Sequence, residues 1–239
     1  MTPKYELSQL NRFVRNHLRS VFRVVYRVFA RVNISGTEHV PAKGPYIIVF
    51  NHVSIYDSPF LITCWKSPPE PVGALDAWNN PIEGIFFKLY GGIVLDRRQY
   101  HRSALEQAVE ALKAGQVLLY APEGRLSKKP GMQQARAGIA FILEKINVPV
   151  VPVGIVGSTV DFLKMVIRLQ RPVLEMRIGK SIQVPPIVKS PAERLKMAYQ
   201  RNADWIMNHV AALLPPEYRG YYQQPNHFFS EISITETAG

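Results

Sequence analysis

The chain has 239 residues, 47% of them hydrophobic and 20% charged, which suffices for one α/β-sized domain with a full core and excludes a disordered chain, a collagen-like repeat and a disulfide scaffold. Its single cysteine, Cys64, permits no intrachain disulfide and no zinc site built on several cysteines, and it fits a reducing compartment. A net charge of +11 calls for an anionic partner: a nucleic acid, an anionic membrane surface or a phosphorylated substrate.

That charge is concentrated at the start. Residues 1–32 hold Lys4, Arg12, Arg15, Arg19, Arg23, Arg27 and Arg31 against Glu6 alone, seven minus one of the +11. Residues 8–32 lack Gly and Pro and predict one long helix. At 100° per residue, Arg12, Arg15, Arg19, Arg23 and Arg27 fall within an arc of about 120°. Leu10, Val14, Leu18, Val21, Val25, Val28, Phe29 and Val32 lie opposite. Such a helix either docks at a bilayer surface or packs its apolar face on the domain and leaves its arginines in water. No apolar run is long enough to span a bilayer, and no secretory signal opens the chain. Residues 1–33 are therefore expected to form a basic amphipathic docking segment, 34–214 the main domain and 215–239 a tail.

After a breaker-rich loop over 35–45, strand and helix patterns alternate. Strands are predicted at Tyr46–Phe50, Val72–Leu75, Ile93–Leu95, Val117–Ala121, Val148–Val156 and Val173–Ile178. Helices are predicted at Ser58–Trp65, Ile82–Leu89, Arg102–Ala114, Gln133–Ile146, Val160–Leu169 and Ala192–Leu214. Short apolar strands between amphipathic helices imply α/β, with a mostly parallel or mixed sheet flanked by helices. Pro149 and Pro152 in the fifth of these strands suggest an edge, a bulge or a shaped wall beside the site. Pro215-Pro216 ends the last helix, and the tail reads as an extended appendage docked by Tyr221, Tyr222, Phe228 and Phe229.

Chemistry gathers where strands end. The first strand runs into Asn51-His52-Val53-Ser54-Ile55-Tyr56-Asp57, and ligands bind at the C-terminal ends of parallel strands. With His52 in the turn before the helix, the chain can fold back so that Asp57 accepts from one ring N–H and leaves the other nitrogen as a general base. Equally, Asp57 can cap its helix while His52 bonds a backbone carbonyl. A second strand ends in Pro122-Glu123-Gly124-Arg125, and a guanidinium there suits a phosphate; Lys128, Lys129 and Arg136 follow and deepen the positive field. A third, Ile93–Leu95, ends in Asp96-Arg97, a further phosphate candidate or a surface ion pair. Cys64 reads as a core thiol, and Ser54 and Ser58 as helix-start hydrogen-bonding residues.

Four blocks occur in order: Val40-Pro41 through Asn51-His52 and Asp57; Gly92 through Asp96-Arg97; Pro122-Glu123-Gly124-Arg125; and Val148-Pro149-Val150-Val151-Pro152-Val153. Together they resemble the glycerolipid acyltransferases, whose usual members are 1-acyl-sn-glycerol-3-phosphate acyltransferases, over about half of the chain. The resemblance implies acyl transfer from a thioester, on acyl-CoA or acyl carrier protein, to a hydroxyl of a lysophosphatidic acid-like acceptor. It implies His52 as base and Asp57 as its partner, with Arg97, Glu123, Gly124 and Arg125 on the acceptor's phosphate. The chain departs from the usual pattern twice: no Thr separates Gly124 from Arg125, and Leu75-Asp76-Ala77-Trp78 stands where many members carry a Lys. The expected partners are acyl-CoA or acyl carrier protein, a lysophospholipid and an anionic membrane surface, with no nucleic acid, no metal and no bound cofactor. The expected place is the cytoplasmic side of a membrane, held peripherally. The rival readings are acylation of glycerol 3-phosphate or another lysolipid, and a non-catalytic basic module binding membranes or nucleic acid.

Overall fold

The computed structural model describes residues 8–81, 83–95, 102–127, 130–159, 161–187 and 195–224. Its strands are β1 Arg31–Ser35, β2 Tyr46–Phe50, β3 Glu70–Ala74, β4 Ile93–Leu95, β5 Val117–Tyr120, β6 Val150–Val156 and β7 Val173–Ile178. They form one sheet in the order β1-β7-β6-β2-β5-β3-β4, parallel at every step except β6 to β7. The helices are α1 Gln9–Phe29, α2 Asp57–Cys64, α3 Leu75–Asn79, α4 Glu83–Tyr90, α5 Arg102–Lys113, α6 Gly138–Lys145, α7 Phe162–Ile167, α8 Leu195–Ala212 and α9 Pro216–Arg219.

Central β2 shows how the sheet takes helices on both faces. Its five residues are all apolar and none is more than 2% exposed, the pattern of a strand covered on both sides. Alternation sends Ile47 and Val49 to one face, against Leu112 of α5, Ile139 of α6 and Ile206 and Val210 of α8. Tyr46, Ile48 and Phe50 go to the other, against Tyr26 of α1, Phe60 and Leu61 of α2 and Phe86 of α4. Pro152 sits inside β6, a central strand and not an edge. Its carbonyl accepts from the Gly179 N–H, one residue past the end of β7. A strand residue's N and O point the same way, so the missing donor lies on the β7 side at the end of that ladder, and no bond between β6 and β2 is lost.

Helix α1 turns the expected amphipathic arrangement over. Arg15, Arg19 and Arg23 face the domain, Arg12 and Arg27 are exposed, and much of the apolar stripe faces outward. Arg15 is buried and ion-paired with buried Glu70 at 2.6 Å, while its Nε donates to the Tyr90 carbonyl at 2.8 Å. Arg19 donates to the carbonyls of Ile62 and Trp65, and Arg23 to that of Thr63. These carbonyls close the C-terminal end of α2, where a helix leaves its last C=O groups without intrahelical donors and carries partial negative charge. Long arginine stems thus solve a capping problem that small apolar side chains cannot. Leu10, Phe13, Val21, Val24 and Val28 are each more than half exposed on the outer face. No helix among the described residues is long and apolar enough to cross a membrane.

Three further differences matter. The predicted helix at Gln133–Ile146 begins only at Gly138, and 133–137 run as irregular chain. The long first helix gives way at Ala30 to the edge strand β1. Residues 216–222 are not extended: they form α9 and a 3₁₀ turn at Gly220–Tyr222. Tyr222 is buried, its hydroxyl donating to Asp204 at 2.6 Å and accepting from the Ala135 N–H at 2.8 Å, while Tyr221 is half exposed. Phe228 and Phe229 lie outside the described residues.

Candidate active site

Strand β2 delivers Asn51 and His52 to the C-terminal end of the sheet. Buried Asn51 clips that end to β6: its Oδ1 accepts from the Ile155 N–H at 2.7 Å and its Nδ2 donates to the Ile155 carbonyl at 3.0 Å. The chain then turns tightly enough that Asp57, the first residue of α2, returns beneath the histidine. His52 Nδ1 lies 3.1 Å from Asp57 Oδ2, with the histidine side chain 15% exposed and the carboxylate fully buried. The same oxygen accepts the N–H groups of Val53 at 2.7 Å and Ser54 at 2.8 Å. These donors stabilise an ionised carboxylate, and an ionised carboxylate fixes the proton on Nδ1 and the lone pair on Nε2. Asp57 does not cap its helix, whose N-cap is Tyr56 without a side-chain bond; it anchors the preceding turn through backbone donors and faces the ring as well.

Glu123 connects this turn to the next strand end. Its Oε1 accepts the His52 N–H at 3.0 Å and its Oε2 the Gln133 N–H at 2.8 Å, and the His52 carbonyl accepts from the Ser127 N–H at 2.9 Å. The side chain is 2% exposed. Burial pushes its pKa up to about 7, with Asp57 adding to that push, while the two backbone donors and His52 hold it down. A buried carboxylate committed to two backbone donors does not contact a phosphate. The phosphate-binding role expected of Glu123 is replaced by a bracing one: it ties the turn carrying His52 to the turn carrying Arg125.

Beside His52 opens a cavity of about 530 Å³. Phe50, Val72, Phe87, Leu105 and Leu119 give it an apolar wall, and His52, Arg125 and Arg136 stand among its polar lining. Arg125 is held from below, its Nε donating to Gln133 Oε1, while Gln133 Nε2 donates to the Leu126 carbonyl at 3.1 Å. Using Nε for the brace leaves the two terminal nitrogens for a ligand. Arg136 reaches the same lip because its N–H donates to the Pro122 carbonyl at 2.8 Å. Its side chain lies across Gly124, where a Cβ would come within 2.9 Å of Arg136 Cδ; Gly124 also has φ of +68°. Gly124 thus permits both the turn and the approach of Arg136. Arg97, Lys128 and Lys129 lie outside the described residues.

The remaining candidates take supporting places. Ser54 Oγ accepts from the Tyr56 N–H at 3.1 Å, the helix-start bond expected of it. It also meets the Oγ of fully buried Ser158 at 2.6 Å. Ser58 lines the cavity. Burial pushes the Cys64 thiol up to about 11 against the opposing pull of nearby arginines, so it is protonated near neutral pH and is a poor nucleophile. Asp76 lines the cavity in the segment where a lysine was expected from the resemblance. Sequence reasoning missed Asn51, Gln133 and Ser158 as functional supports. Gly157-Ser158 at the end of β6 carried the same strand-end signal as His52, whereas Gln133 was masked by its assignment to a helix.

Comparison with known proteins agrees with this geometry. Residues 31–156, just over half of the chain, match the family described as Acyltransferase. A probable 1-acyl-sn-glycerol-3-phosphate acyltransferase of Mycoplasma pneumoniae is 27% identical over 84% of this chain and 79% of that protein. A chloroplast 1-acyl-sn-glycerol-3-phosphate acyltransferase of Arabidopsis thaliana is 29% identical over 54% of this chain, which spans only 37% of that relative's length. The fold matches the crystal structure of the 1-acyl-sn-glycerophosphate acyltransferase of Thermotoga maritima with a TM-score of 0.57 and 21% identity, over 82% of this chain and 78% of that one. The matched span covers β1 through β6 and holds His52, Asp57, Glu123 and Arg125, and on this ground the chain belongs to the acyltransferase family.

Proposed function

We propose that the chain transfers a fatty acyl group from an acyl thioester, acyl-CoA or acyl carrier protein, to the free hydroxyl of a lysophosphatidic acid-like acceptor, as a step in phospholipid synthesis. The observation that carries this reading is the His52–Asp57 pair at the mouth of a largely apolar cavity whose lip bears Arg125 and Arg136. His52 Nε2 takes the proton of the acceptor hydroxyl as its oxygen attacks the thioester carbonyl. The new C–O bond forms, the C–S bond breaks, and the imidazolium, stabilised by Asp57, returns the proton to the departing thiolate. Arg125 and Arg136 hold the acceptor's phosphate, with Arg97 as a further contact. The oxyanion falls to the start of α2, where Ser58 lines the cavity; the N–H groups of Val53 and Ser54 are already committed to Asp57. This chemistry asks for a base and oxyanion donors and draws on no bound cofactor.

The same reading places the chain peripherally on a bilayer, from which acceptor and product do not have to leave. Its support is the outward stripe of Leu10, Phe13, Val21, Val24 and Val28 on α1, an apolar face more than half exposed among the described residues. The inward arginines tie that helix to the C-terminal end of α2, whose first residue is Asp57, so the docking element and the catalytic turn share one rigid connection. The test is thiol release from an acyl thioester with lysophosphatidic acid in vesicles or mixed micelles. Acceptor-dependent release is expected, and its absence with both donor types refutes the reading.

A further inference from the structure

A second concavity, of about 450 Å³, lies away from the His52 cavity, between the end of α1 and the starts of β1 and β7. Arg23, Arg27, Arg31 and Arg171 line it, with Tyr26 and Cys64 in its wall. Among the described residues no carboxylate lines it, and none of the four arginines makes an ion pair. Arg171 donates to the carbonyls of Arg27 at 3.0 Å and Ala30 at 3.2 Å, and Arg23 to that of Thr63, so their protein partners are neutral. The Arg31 N–H bonds the Pro172 carbonyl at 2.9 Å, which holds the two strand starts together. Arg171 has φ of +45° and Leu169 of +56°, a left-handed backbone rare for such residues and found where a fold holds a segment for a purpose. Four like charges gathered around one hollow repel each other, and an anion relieves that repulsion.

The surroundings identify which anion. Val24 and Val28 of α1 flank the arginines on one side and are more than half exposed. On the other, Ile167 ends α7 and Leu169 follows it, and they are 72% and 77% exposed. A basic hollow between two exposed apolar elements suits the headgroup layer of a bilayer better than bulk water. Because β1 and β7 run opposite to β2, their starts lie level with the end of β2 that carries His52. The hollow and the catalytic turn therefore share one end of the sheet. We propose that Arg23, Arg27, Arg31 and Arg171 form a binding site for the phosphate of an anionic membrane lipid, distinct from the acceptor site, which holds the active-site end of the sheet against the bilayer. This rests on the membrane-docked reading above.

The experiment is flotation of the full chain with vesicles of phosphatidylcholine alone and of phosphatidylcholine with phosphatidylglycerol. The variants are R27Q/R31Q and, on helices α6 and α8 across the sheet, the charge-matched control K145Q/K196Q. Arg27 and Arg31 make no side-chain hydrogen bond among the described residues, so R27Q/R31Q should melt at or above the wild-type temperature. At about fivefold per arginine near an anionic surface, R27Q/R31Q should lose about thirtyfold in affinity for the phosphatidylglycerol vesicles. The control should lose much less, and binding to phosphatidylcholine should hardly move. Equal losses in the two double variants overturn the site in favour of a diffuse positive field. Release of the wild type from phosphatidylglycerol vesicles by millimolar glycerol 3-phosphate, at constant ionic strength, overturns the lipid assignment in favour of a soluble phosphate. A wild type that floats with neither vesicle refutes the docked reading itself.

Discussion

Replacing Arg15 by Met tests the inverted helix most sharply. The substitution keeps an unbranched apolar stem and removes the guanidinium that pairs with Glu70 at 2.6 Å and caps the Tyr90 carbonyl at 2.8 Å. Both members of the pair are almost completely buried, so solvent does not screen the loss. Breaking a buried pair by removing one partner costs about 3–5 kcal/mol, because the buried carboxylate loses its guanidinium without regaining water. For a chain of this size about 4 kcal/mol corresponds to a fall in Tm of roughly 8–16 °C. Adding Glu70→Leu to Arg15→Met should recover much of that loss, since it removes the buried carboxylate and leaves apolar groups in contact. Arg12→Gln, on an exposed arginine of the same helix, should move Tm by no more than a degree or two. Differential scanning calorimetry on the four proteins decides. If Arg15→Met melts with the wild type, α1 does not pack on its arginine face and the fold described for the N-terminal segment is wrong.

The other predictions concern the lip, the brace and the stripe. Arg125→Ala should weaken use of a phosphorylated acceptor by about 1.5–3 kcal/mol, the scale of a charge-assisted hydrogen bond. Arg136→Gln should raise the KM for lysophosphatidic acid in the same sense while lowering kcat less; equal effects on an acceptor without phosphate would show a structural role instead. Burial pushes the Glu123 carboxyl up to about 7 from its ordinary value of 4.5. A raised carboxylate pKa means the native state binds more protons between those values, so this group's contribution makes stability fall as pH rises from about 4.5 to 7. Urea midpoints across that window should show a shallower decline in Glu123→Gln, and an unchanged slope would assign the pH dependence to other groups. Replacing Val21, Val24 and Val28 together by Asn should weaken flotation with neutral vesicles while leaving Tm nearly unchanged, since all three side chains are more than half exposed.

Much of the sheet was legible because its strands carry their own signal. Tyr46–Phe50, Ile93–Leu95 and Val173–Ile178 are uninterrupted or alternating apolar runs bounded by breakers, and each appears at its predicted limits. Strand β1 was not legible: as an edge strand it is mostly exposed, and Arg31–Ser35 has no apolar run to mark it. The strand-end residues His52, Asp57 and Arg125 could be chosen because polar residues directly after apolar strands stand out. The facing of α1 could not be read, because periodicity separates two faces of a helix without saying which is inside. That choice was made by carbonyls at the end of α2 and by Glu70, residues forty or more positions away along the chain. Gln133 was hidden for a related reason: its Gln-Gln-Ala-Arg-Ala surroundings favour a helix, and partners distant in sequence, among them Glu123, Arg125, the Pro122 carbonyl and the Tyr222 hydroxyl, hold the segment out of one.

The central claim is that His52, fixed by Asp57, is the base for acyl transfer, and thiol release by His52→Ala tests it most directly. The assay supplies acyl-CoA or acyl carrier protein thioester with lysophosphatidic acid, and near-ultraviolet circular dichroism and Tm verify that the variant is folded. Loss of a positioned general base should lower acceptor-dependent turnover by at least about 10²-fold. Asp57→Asn should fall severely as well, since an amide that turns its oxygen toward Val53 and Ser54 no longer stabilises the imidazolium. Near-normal acceptor-dependent turnover by a folded His52→Ala protein would contradict the account.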